Sequence, residues 1–199
     1  MNQGNFQEQI FTSPKKGNER FFDKNKVLPF SLFDFWSWMA SDLISNATRG
    51  KLAEFIVGTA VNLDWTKVRD EWAEYDLITL GGIKIEVKSA GYIQTWSQKG
   101  PSKISFSIRK SRKWTPENDQ EWSLKGRWAD VYVFCLFNHT DKKTADPMNL
   151  SQWVFYVVST KDINAYTRSE TSITLKSLAK LANEVRYESL KAEIMEKAK

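Results

Sequence analysis

The residues Tyr75–Trp96 read YDLITLGGIKIEVKSAGYIQTW and carry the clearest structural pattern of the chain. Two short segments rich in β-branched residues flank Gly81-Gly82, which predicts two antiparallel strands joined by a tight turn. On the second segment Ile83, Ile85 and Val87 alternate with charged residues. One face of this strand is therefore predicted to be apolar and the other to be charged.

The length of the turn decides whether Asp76 shares a face with Glu86. A two-residue Gly-Gly loop would pair Asp76 with Val87 and separate the two acids, because a shift of one residue turns every side chain over. A three-residue loop at 80–82 pairs Asp76 with Glu86, and its last position suits the left-handed backbone of a glycine. We favour the three-residue loop, which brings both carboxylates and Lys88 to one face.

This group of residues has the chemistry of a metal site. Adjacent carboxylates raise each other's pKa unless a cation lies between them. Asp76, Glu86 and the main-chain carbonyl of Val87 are hard oxygen ligands, which suit Mg²⁺, with Mn²⁺ as a substitute. The ammonium of Lys88 could orient or help to deprotonate a water molecule and offset the charge of a phosphate. Metal-assisted hydrolysis of a phosphodiester needs these groups.

Asp76, nine intervening residues and then Glu86-Val87-Lys88 resemble the D…ExK core of the PD-(D/E)xK nuclease superfamily. Tyr75 stands where that superfamily often has a proline. The resemblance implies the restriction-endonuclease-like fold and a Mg²⁺-dependent DNA endonuclease of the restriction-enzyme type, whose products carry a 5′-phosphate and a 3′-hydroxyl. The alternative interpretation of the motif is an exposed hairpin with solvated charges.

Glu54 is a further candidate for the site. It is the one acid in a segment that is apolar nearly all round, which predicts a buried helix, and a buried carboxylate needs a cation, a metal or a proton. The superfamily commonly has a helical glutamate before the first catalytic strand, and Glu54 matches that position. The alternative is a salt bridge to Arg49 or Lys51.

Gln94 is the last candidate catalytic residue. It shares the parity of Glu86 and Lys88 if the strand continues without a bulge at Ala90-Gly91. The resemblance implies a polar group of this kind near the phosphate. An ordinary polar strand residue is the alternative.

The excess positive charge lies just after the ExK strand. The chain has a net charge of +5, and residues 99–128 hold eight Lys or Arg residues against three acids. Such a balance is typical of a DNA-binding surface, because basic side chains release counterions from phosphates, whereas a solvated basic loop is the alternative. The predicted DNA contacts are Lys99, Lys103, Arg109, Lys110, Arg112, Lys113, Trp114, Lys125 and Arg127.

The rest of the chain predicts one α/β domain, with a mixed central sheet of about five strands flanked by helices. Residues 1–28 are expected to form a flexible arm and residues 29–199 the nuclease domain. Strands are predicted at 102–109, 129–137 and 153–159. Helices are predicted from Ser31 to about Asn46, after the Arg49-Gly50 break, and in two short pieces after Thr174.

Composition excludes several other classes. One cysteine and one histidine exclude an internal disulfide, a cysteine-built zinc site and a catalytic histidine pair. The absence of a long apolar run and the polar N-terminus favour a cytoplasmic protein without a membrane span. A non-cleaving DNA-binding protein of the same fold and a repair or junction-resolving nuclease remain alternatives, and a homodimer that cuts both strands stays open.

Overall fold

The computed structural model describes residue 10 and residues 12–71, 73–112 and 125–199. The strands, in chain order, are β1 (Arg20–Asp23), β2 (Lys26–Ser31), β3 (Leu77–Ile78), β4 (Lys84–Gly91), β5 (Ser105–Ser107), β6 (Ser111–Arg112), β7 (Lys125–Gly126), β8 (Val131–Phe137), β9 (Trp153–Ser159) and β10 (Ser172–Thr174). The helices are α1 (Leu32–Ala40), α2 (Asn46–Ala60), α3 (Thr160–Ala165), α4 (Leu175–Leu178) and α5 (Tyr187–Lys197), with a 3-10 turn at Leu150–Gln152.

A mixed sheet of four strands forms the centre, in the order β3-β4-β8-β9. β4 runs parallel to β8, whereas β3 and β9 are antiparallel to their neighbours. The predicted α/β architecture with a mixed sheet and flanking helices is confirmed. The sheet has four strands rather than about five, because the segment predicted at 102–109 contributes β5, which pairs with β10 in a separate two-stranded sheet.

Both faces of the central sheet are covered, as predicted for strands that are apolar on both faces. Ile85 and Val87 of β4 pack with residues of α2 and α5, including Ile56 and Leu190. Alternate residues of β8 and β9 pack on the other face with residues of β5, β10 and α4. The apolar face of β4 predicted from its alternation is therefore confirmed.

The β3-β4 turn has the predicted three-residue loop. Leu77 lies opposite Ile85 and Ile78 opposite Lys84. The main-chain nitrogen of Thr79 lies 2.9 Å from the carbonyl oxygen of Ile83, which leaves residues 80–82 as the loop. Gly82 ends this loop with a φ of +84°, a backbone conformation that an L side chain rarely adopts. This register puts the position of Asp76 opposite that of Glu86.

Helix α1 starts as predicted and then departs from the prediction. Its first turn has a complete capping box between Ser31 and Asp34. The helix ends at Ala40 instead of about Asn46, and none of its residues is buried. Its apolar residues do not reach the core, because the helix does not lie against the central sheet.

Helix α2 begins earlier than predicted. It starts at Asn46, where the hydroxyl of Ser45 caps the main-chain nitrogen of Thr48, and it continues without a break through Arg49-Gly50. Gly50 does not end the helix, because the cap at Ser45, five residues earlier, and the buried positions that follow stabilise this turn.

The predicted arm contains ordered structure in its last third. β1 and β2 form an antiparallel hairpin over residues 20–31, so the end of the predicted arm has regular structure. Its flexibility stays a prediction. Residues 1–9 and 11 lie outside the described part of the chain. Among the helices that the structure describes, none is long and apolar enough to cross a membrane.

Candidate functional site

Asp76 lies at the point where β3 stops covering the edge of β4. β3 is only two residues long, and the chain before it still bonds to β4, because the main-chain nitrogen of Asp76 lies 3.1 Å from the carbonyl oxygen of Ile85. The side chain then takes over, since its Oδ2 accepts a hydrogen bond of 2.8 Å from the main-chain nitrogen of Val87. This bond fixes the Asp76 carboxylate against the strand that carries Glu86.

The other predicted groups surround this point. In a strand the N–H and the carbonyl of one residue point to the same edge, so the carbonyl of Val87 also faces the Asp76 side. Glu86 and Lys88 form an ion pair on the sheet face opposite to Val87. The side chains of Asp76, Glu86 and Lys88 are 18%, 19% and 28% exposed. They are therefore partly desolvated and still open to a ligand.

The electrostatics of Glu86 link the carboxylates of the site. Burial raises the pKa of Glu86 above its usual value. Lys88 opposes this effect, whereas the negative charges of Asp76 and Glu54 add to the rise. Asp76 and Glu54 therefore both lie close enough to Glu86 to act on its charge.

Glu54 reaches the site through an arginine. Its side chain is 12% exposed and forms an ion pair with Arg69, and it lies 3.5 Å from the Nζ of Lys51. Nη2 of the same Arg69 lies 3.4 Å from Oδ1 of Asp76. The hydrogen bond and the charge of Glu54 raise the pKa of Arg69, although burial acts in the opposite direction. Arg69 thus bridges two of the candidate acids.

Sequence reasoning missed Arg69. It lies in the irregular segment between α2 and β3, fifteen residues from Glu54, where no periodic pattern marks it. The one available signal was the need of a buried Glu54 for a cation. Of the two partners considered, Lys51 is found, and Arg49 is not.

Arg49 instead holds α2 to the rest of the fold. Its side chain is almost fully buried and donates hydrogen bonds to the carbonyl of Ile44, to Asn46 and to the hydroxyl of Ser89 on β4. Burial lowers the pKa of Arg49. Because Ser89 follows Lys88, this network fixes α2 beside the strand of the site.

Gln94 lies beyond the strand. β4 ends at Gly91, so the parity argument does not apply at Gln94. The side chain is buried, and its Nε2 lies 3.3 Å from the carbonyl of Gly91 and 3.4 Å from the hydroxyl of Ser102. These contacts hold the turn after β4, and a catalytic role of Gln94 stays a prediction.

The predicted DNA contacts fall into three groups. Exposed positions are Lys99, Lys103, Arg109, Lys110, Arg112 and Lys125. Arg127 is tied down instead, because it donates to the carbonyls of Ile108 and Glu170 and to Asn164. These bonds hold separate segments of the chain together. Lys113 and Trp114 lie outside the described residues.

The oxygen ligands of the candidate site suit a hard divalent cation that takes few of its ligands from the protein. Within the described residues, no group of three or more His, Cys, Asp or Glu side chains is arranged to hold a metal ion. Mg²⁺ needs only one or two carboxylates, because water and substrate phosphates supply the other ligands. Asp76, Glu86 and the Val87 carbonyl meet that requirement. Glu54 fits less well, because its carboxylate is engaged by Arg69.

Comparison with known proteins supports a nuclease. A family model described as bacteriophage T4 endonuclease IV matches residues 35–177, which is well over half of the chain. The matched part includes Glu54, Arg69 and the whole β3-β4 hairpin, whereas β1 and β2 precede it. No curated protein matches the chain. The chain therefore belongs to the bacteriophage T4 endonuclease IV family, and it is a nuclease by that membership.

Proposed function

We propose that the chain is a metal-dependent DNA endonuclease with a site of the PD-(D/E)xK type, which hydrolyses phosphodiester bonds with water, as restriction enzymes do. The observation that carries this proposal is the position of Asp76. Its carboxylate is held by the N–H of Val87, beside Glu86 and Lys88, at the open edge of β4. Membership of an endonuclease family supports the same reaction class.

Each residue has a separate role in the proposed site. Asp76, Glu86 and the Val87 carbonyl would hold Mg²⁺ or Mn²⁺, with Glu54 as a further ligand or as a support. The bound ion would polarise the scissile phosphate and lower the pKa of the attacking water. The hydrogen bond from Val87 positions Asp76 before any ligand arrives. Lys88 orients the attacking water and offsets the charge that develops on the phosphate.

Arg69 supplies a positive charge beside Glu54 and Asp76. Its 3.4 Å contact with Asp76 is long for a charge-assisted hydrogen bond, which is usually about 2.7–2.9 Å. Its contact with Glu54 is short and direct. Arg69 can therefore release Asp76 while it keeps Glu54.

One observation favours the alternative, a DNA-binding protein that does not cut. Each carboxylate of the site already has a cationic partner within the chain, namely Arg69 for Glu54 and Asp76, and Lys88 for Glu86. A site that is neutralised in this way needs no metal to be stable. Under this alternative, Mg²⁺ would leave both the protein and its DNA unchanged.

The two proposals are separated by a cleavage assay combined with a gel shift. Wild-type protein is expected to nick plasmid or genomic DNA with Mg²⁺ or Mn²⁺ and to stop when EDTA is added. Lys88→Ala is expected to lower the cleavage rate by about 10²–10⁴-fold, because the ammonium acts mainly in the transition state, and to leave DNA binding near normal. Lys88→Arg is not expected to restore the rate, since a planar guanidinium does not replace a compact ammonium.

Lys84→Ala provides the matched control. Lys84 lies on the same strand, four residues from Lys88, with its ammonium 5.4 Å from the centre of the Tyr75 ring. Its replacement is expected to change the cleavage rate only slightly. If wild-type protein shifts DNA but never nicks it with either metal, the non-cleaving interpretation replaces the nuclease.

A further inference from the structure

The segment formed by residues 15–19, β1, β2 and α1, that is residues 15–40, exposes an unusual number of aromatic rings; we call it the hairpin–helix unit. Seven aromatic side chains of this unit are at least about one-third exposed, and Trp38 reaches 82% and Phe22 73%. These seven are Phe21, Phe22, Phe30, Phe33, Phe35, Trp36 and Trp38. The ring centroids of Phe21 and Phe30 lie 5.5 Å apart, and those of Phe35 and Trp38 lie 6.3 Å apart. Exposed apolar rings grouped in this way are typical of an interaction site. The proposed catalytic site uses none of these residues, and the family match leaves β1 and β2 unassigned.

The unit presents its rings from a fixed backbone. The main-chain nitrogen of Leu32 lies 2.8 Å from the carbonyl oxygen of Glu19, and that of Phe33 lies 2.8 Å from the carbonyl oxygen of Gly17. Gly17 has a φ of +93°, and a β-carbon there would lie 3.0 Å from the ring of Trp36. A side chain at this position would therefore meet both backbone strain and a steric contact. These contacts join the segment before β1 to the first turn of α1.

A recess opens on this unit. It has a volume of about 530 Å³ and is lined by Lys16, Gly17, Asn18, Arg20, Ser31 and Phe33. Its lining has two cations, an amide, a hydroxyl and one aromatic ring, and no carboxylate. A volume in this range suits a small ligand, and this lining suits a phosphate beside a flat ring. A nucleotide has both parts.

The charged side chains of the unit also favour a ligand that carries phosphate. The carboxylate of Glu19 accepts hydrogen bonds from the main-chain nitrogens of Lys16 and Gly17, and the carboxylate of Asp34 accepts from Ser31. These bonds lower the pKa of both acids and direct them to the backbone. Within the described residues, the unit's basic side chains, Lys15, Lys16, Arg20, Lys24 and Lys26, form no salt bridge. The surface therefore offers positive charge and aromatic faces together.

We propose that the hairpin–helix unit is a second DNA-contact surface, in which the recess holds one unstacked nucleotide of the strand. Lys16 and Arg20 contact its phosphate, and its base stacks on Phe33. The exposed rings of α1 take neighbouring bases in the same way, because every base has a face that can stack. The proposal rests on DNA as the substrate of the proposed nuclease.

Charge favours DNA over a second copy of this chain as the occupant. Residues 15–34 contain five basic and three acidic side chains, so two copies of this surface would repel each other. A polyanion gains from the same charges and releases counterions on binding. A homodimer formed through these rings is the alternative that the test must separate from DNA binding.

Phe33→Leu is the main test, because leucine keeps an apolar side chain and removes the ring. We expect the affinity of the full-length protein for a short oligothymidine to fall by about 5–100-fold, as is usual for the loss of a stacked base. Met148→Leu is the matched control, since Met148 is 73% exposed in a loop outside the unit. Its affinity is expected to equal that of the wild type.

Lys16→Ala tests the phosphate contact independently. We expect a weaker affinity and a salt dependence whose logarithmic slope falls by about 0.7, the value for one phosphate contact on a single strand. Lys180→Ala, another exposed lysine, is expected to leave the slope unchanged. Binding is measured by fluorescence anisotropy with EDTA present, so that cleavage does not interfere.

The outcomes separate this proposal from the proposed function. If wild-type protein never cleaves DNA but Phe33→Leu still weakens binding, the DNA-contact surface stands and the nuclease falls. If wild-type protein cleaves and both Phe33→Leu and Lys16→Ala bind like wild type, the DNA-contact surface is overturned. Sedimentation that shows a dimer broken by Phe33→Asp, with oligothymidine affinity unchanged, would also overturn it in favour of a second copy.

Discussion

Helices α1 and α2 differ in how deeply they are buried, and their sequences do not indicate this difference. α1 reads LFDFWSWMA, and none of its residues is buried. α2 reads NATRGKLAEFIVGTA, is less apolar, and buries Arg49, Ala53, Ile56, Val57 and Gly58. The difference comes from what each helix packs against. α2 packs against the face of the central sheet that carries Ile85 and Val87 of β4, whereas α1 follows the β1-β2 hairpin. Apolar content alone therefore does not locate the core.

The two helices also place different kinds of side chain in unusual surroundings. α2 places a charged residue, Glu54, beside the sheet edge, where Arg69 and Lys51 compensate its charge. α1 places Trp38 and its other aromatic rings at the surface, although such side chains are normally buried in a core. The carboxylate of Glu54 is largely removed from water, whereas the apolar rings of α1 are exposed to it. Both placements are energetically unfavourable, and both are typical of binding sites.

The largest difference between the helices is expected in stability. Ile56→Ala in α2 is expected to lower the free energy of unfolding by about 2–5 kcal/mol, because Ile56 is 4% exposed within the core. Phe33→Ala in α1 removes a larger side chain that is 64% exposed, and we expect a change within about 0.5 kcal/mol. Urea denaturation followed by circular dichroism measures both. A comparable loss for Phe33→Ala would mean that α1 packs against a part of the protein or a partner that buries it.

The sequence predicted those features that depend on local pattern. The β3-β4 register follows from alternation and from the turn residues at Leu80-Gly81-Gly82, and it is confirmed. The start of α1 follows from the local Ser31–Asp34 capping box, and it is confirmed. These signals need no knowledge of distant contacts.

The features that were missed depend on tertiary contacts. The exposure of α1 depends on the absence of a docking surface, which no periodicity within the helix reveals. The bridge from Arg69 to Glu54 and Asp76 joins α2, a loop and the residue before β3. The passage of α2 through Gly50 depends on the burial of Arg49 against Ser89 of β4. The roles assigned to the site residues stay predictions.

The second expected effect concerns the charge that α2 brings to the site. Arg69→Ala leaves Glu54 and Asp76 without their shared cation, and we expect it to lower the free energy of unfolding in EDTA by roughly 1–3 kcal/mol, less than for a fully buried pair because Arg69 is 30% exposed. Mg²⁺ should then raise the melting temperature more in Arg69→Ala than in the wild type, because the guanidinium no longer competes for Asp76.

Lys67→Ala is the control for this comparison. Lys67 lies in the same segment and forms an exposed ion pair with Asp64, 3.6 Å away. Its removal is expected to leave both the stability and the response to Mg²⁺ nearly unchanged. Equal Mg²⁺ responses in Arg69→Ala and the wild type would show that Arg69 and a metal ion do not share Asp76.

The smallest expected effect is a pH dependence at Glu86. Because burial and the neighbouring acids raise its pKa, the folded protein still holds a proton on Glu86 at pH values where the unfolded chain has released it. This contribution makes the wild type less stable as pH rises from the ordinary glutamate value, 4.5, through the raised folded value. Glu86→Gln has no proton to release, so its stability relative to the wild type should increase from about pH 4 to neutral pH.

Thermal denaturation across this pH range, with EDTA present, measures the effect. Comparing each variant with itself at two pH values cancels the pH-independent cost of losing the ion pair with Lys88. Glu188→Gln, an exposed helix position, controls for the loss of a carboxylate elsewhere. Mg²⁺ should reduce the advantage of Glu86→Gln at neutral pH, because a cation bound to the wild type offsets the repulsion among Asp76, Glu86 and Glu54. An advantage that grows with pH but ignores Mg²⁺ would place Glu86 in a desolvated ion pair and remove it from the metal site.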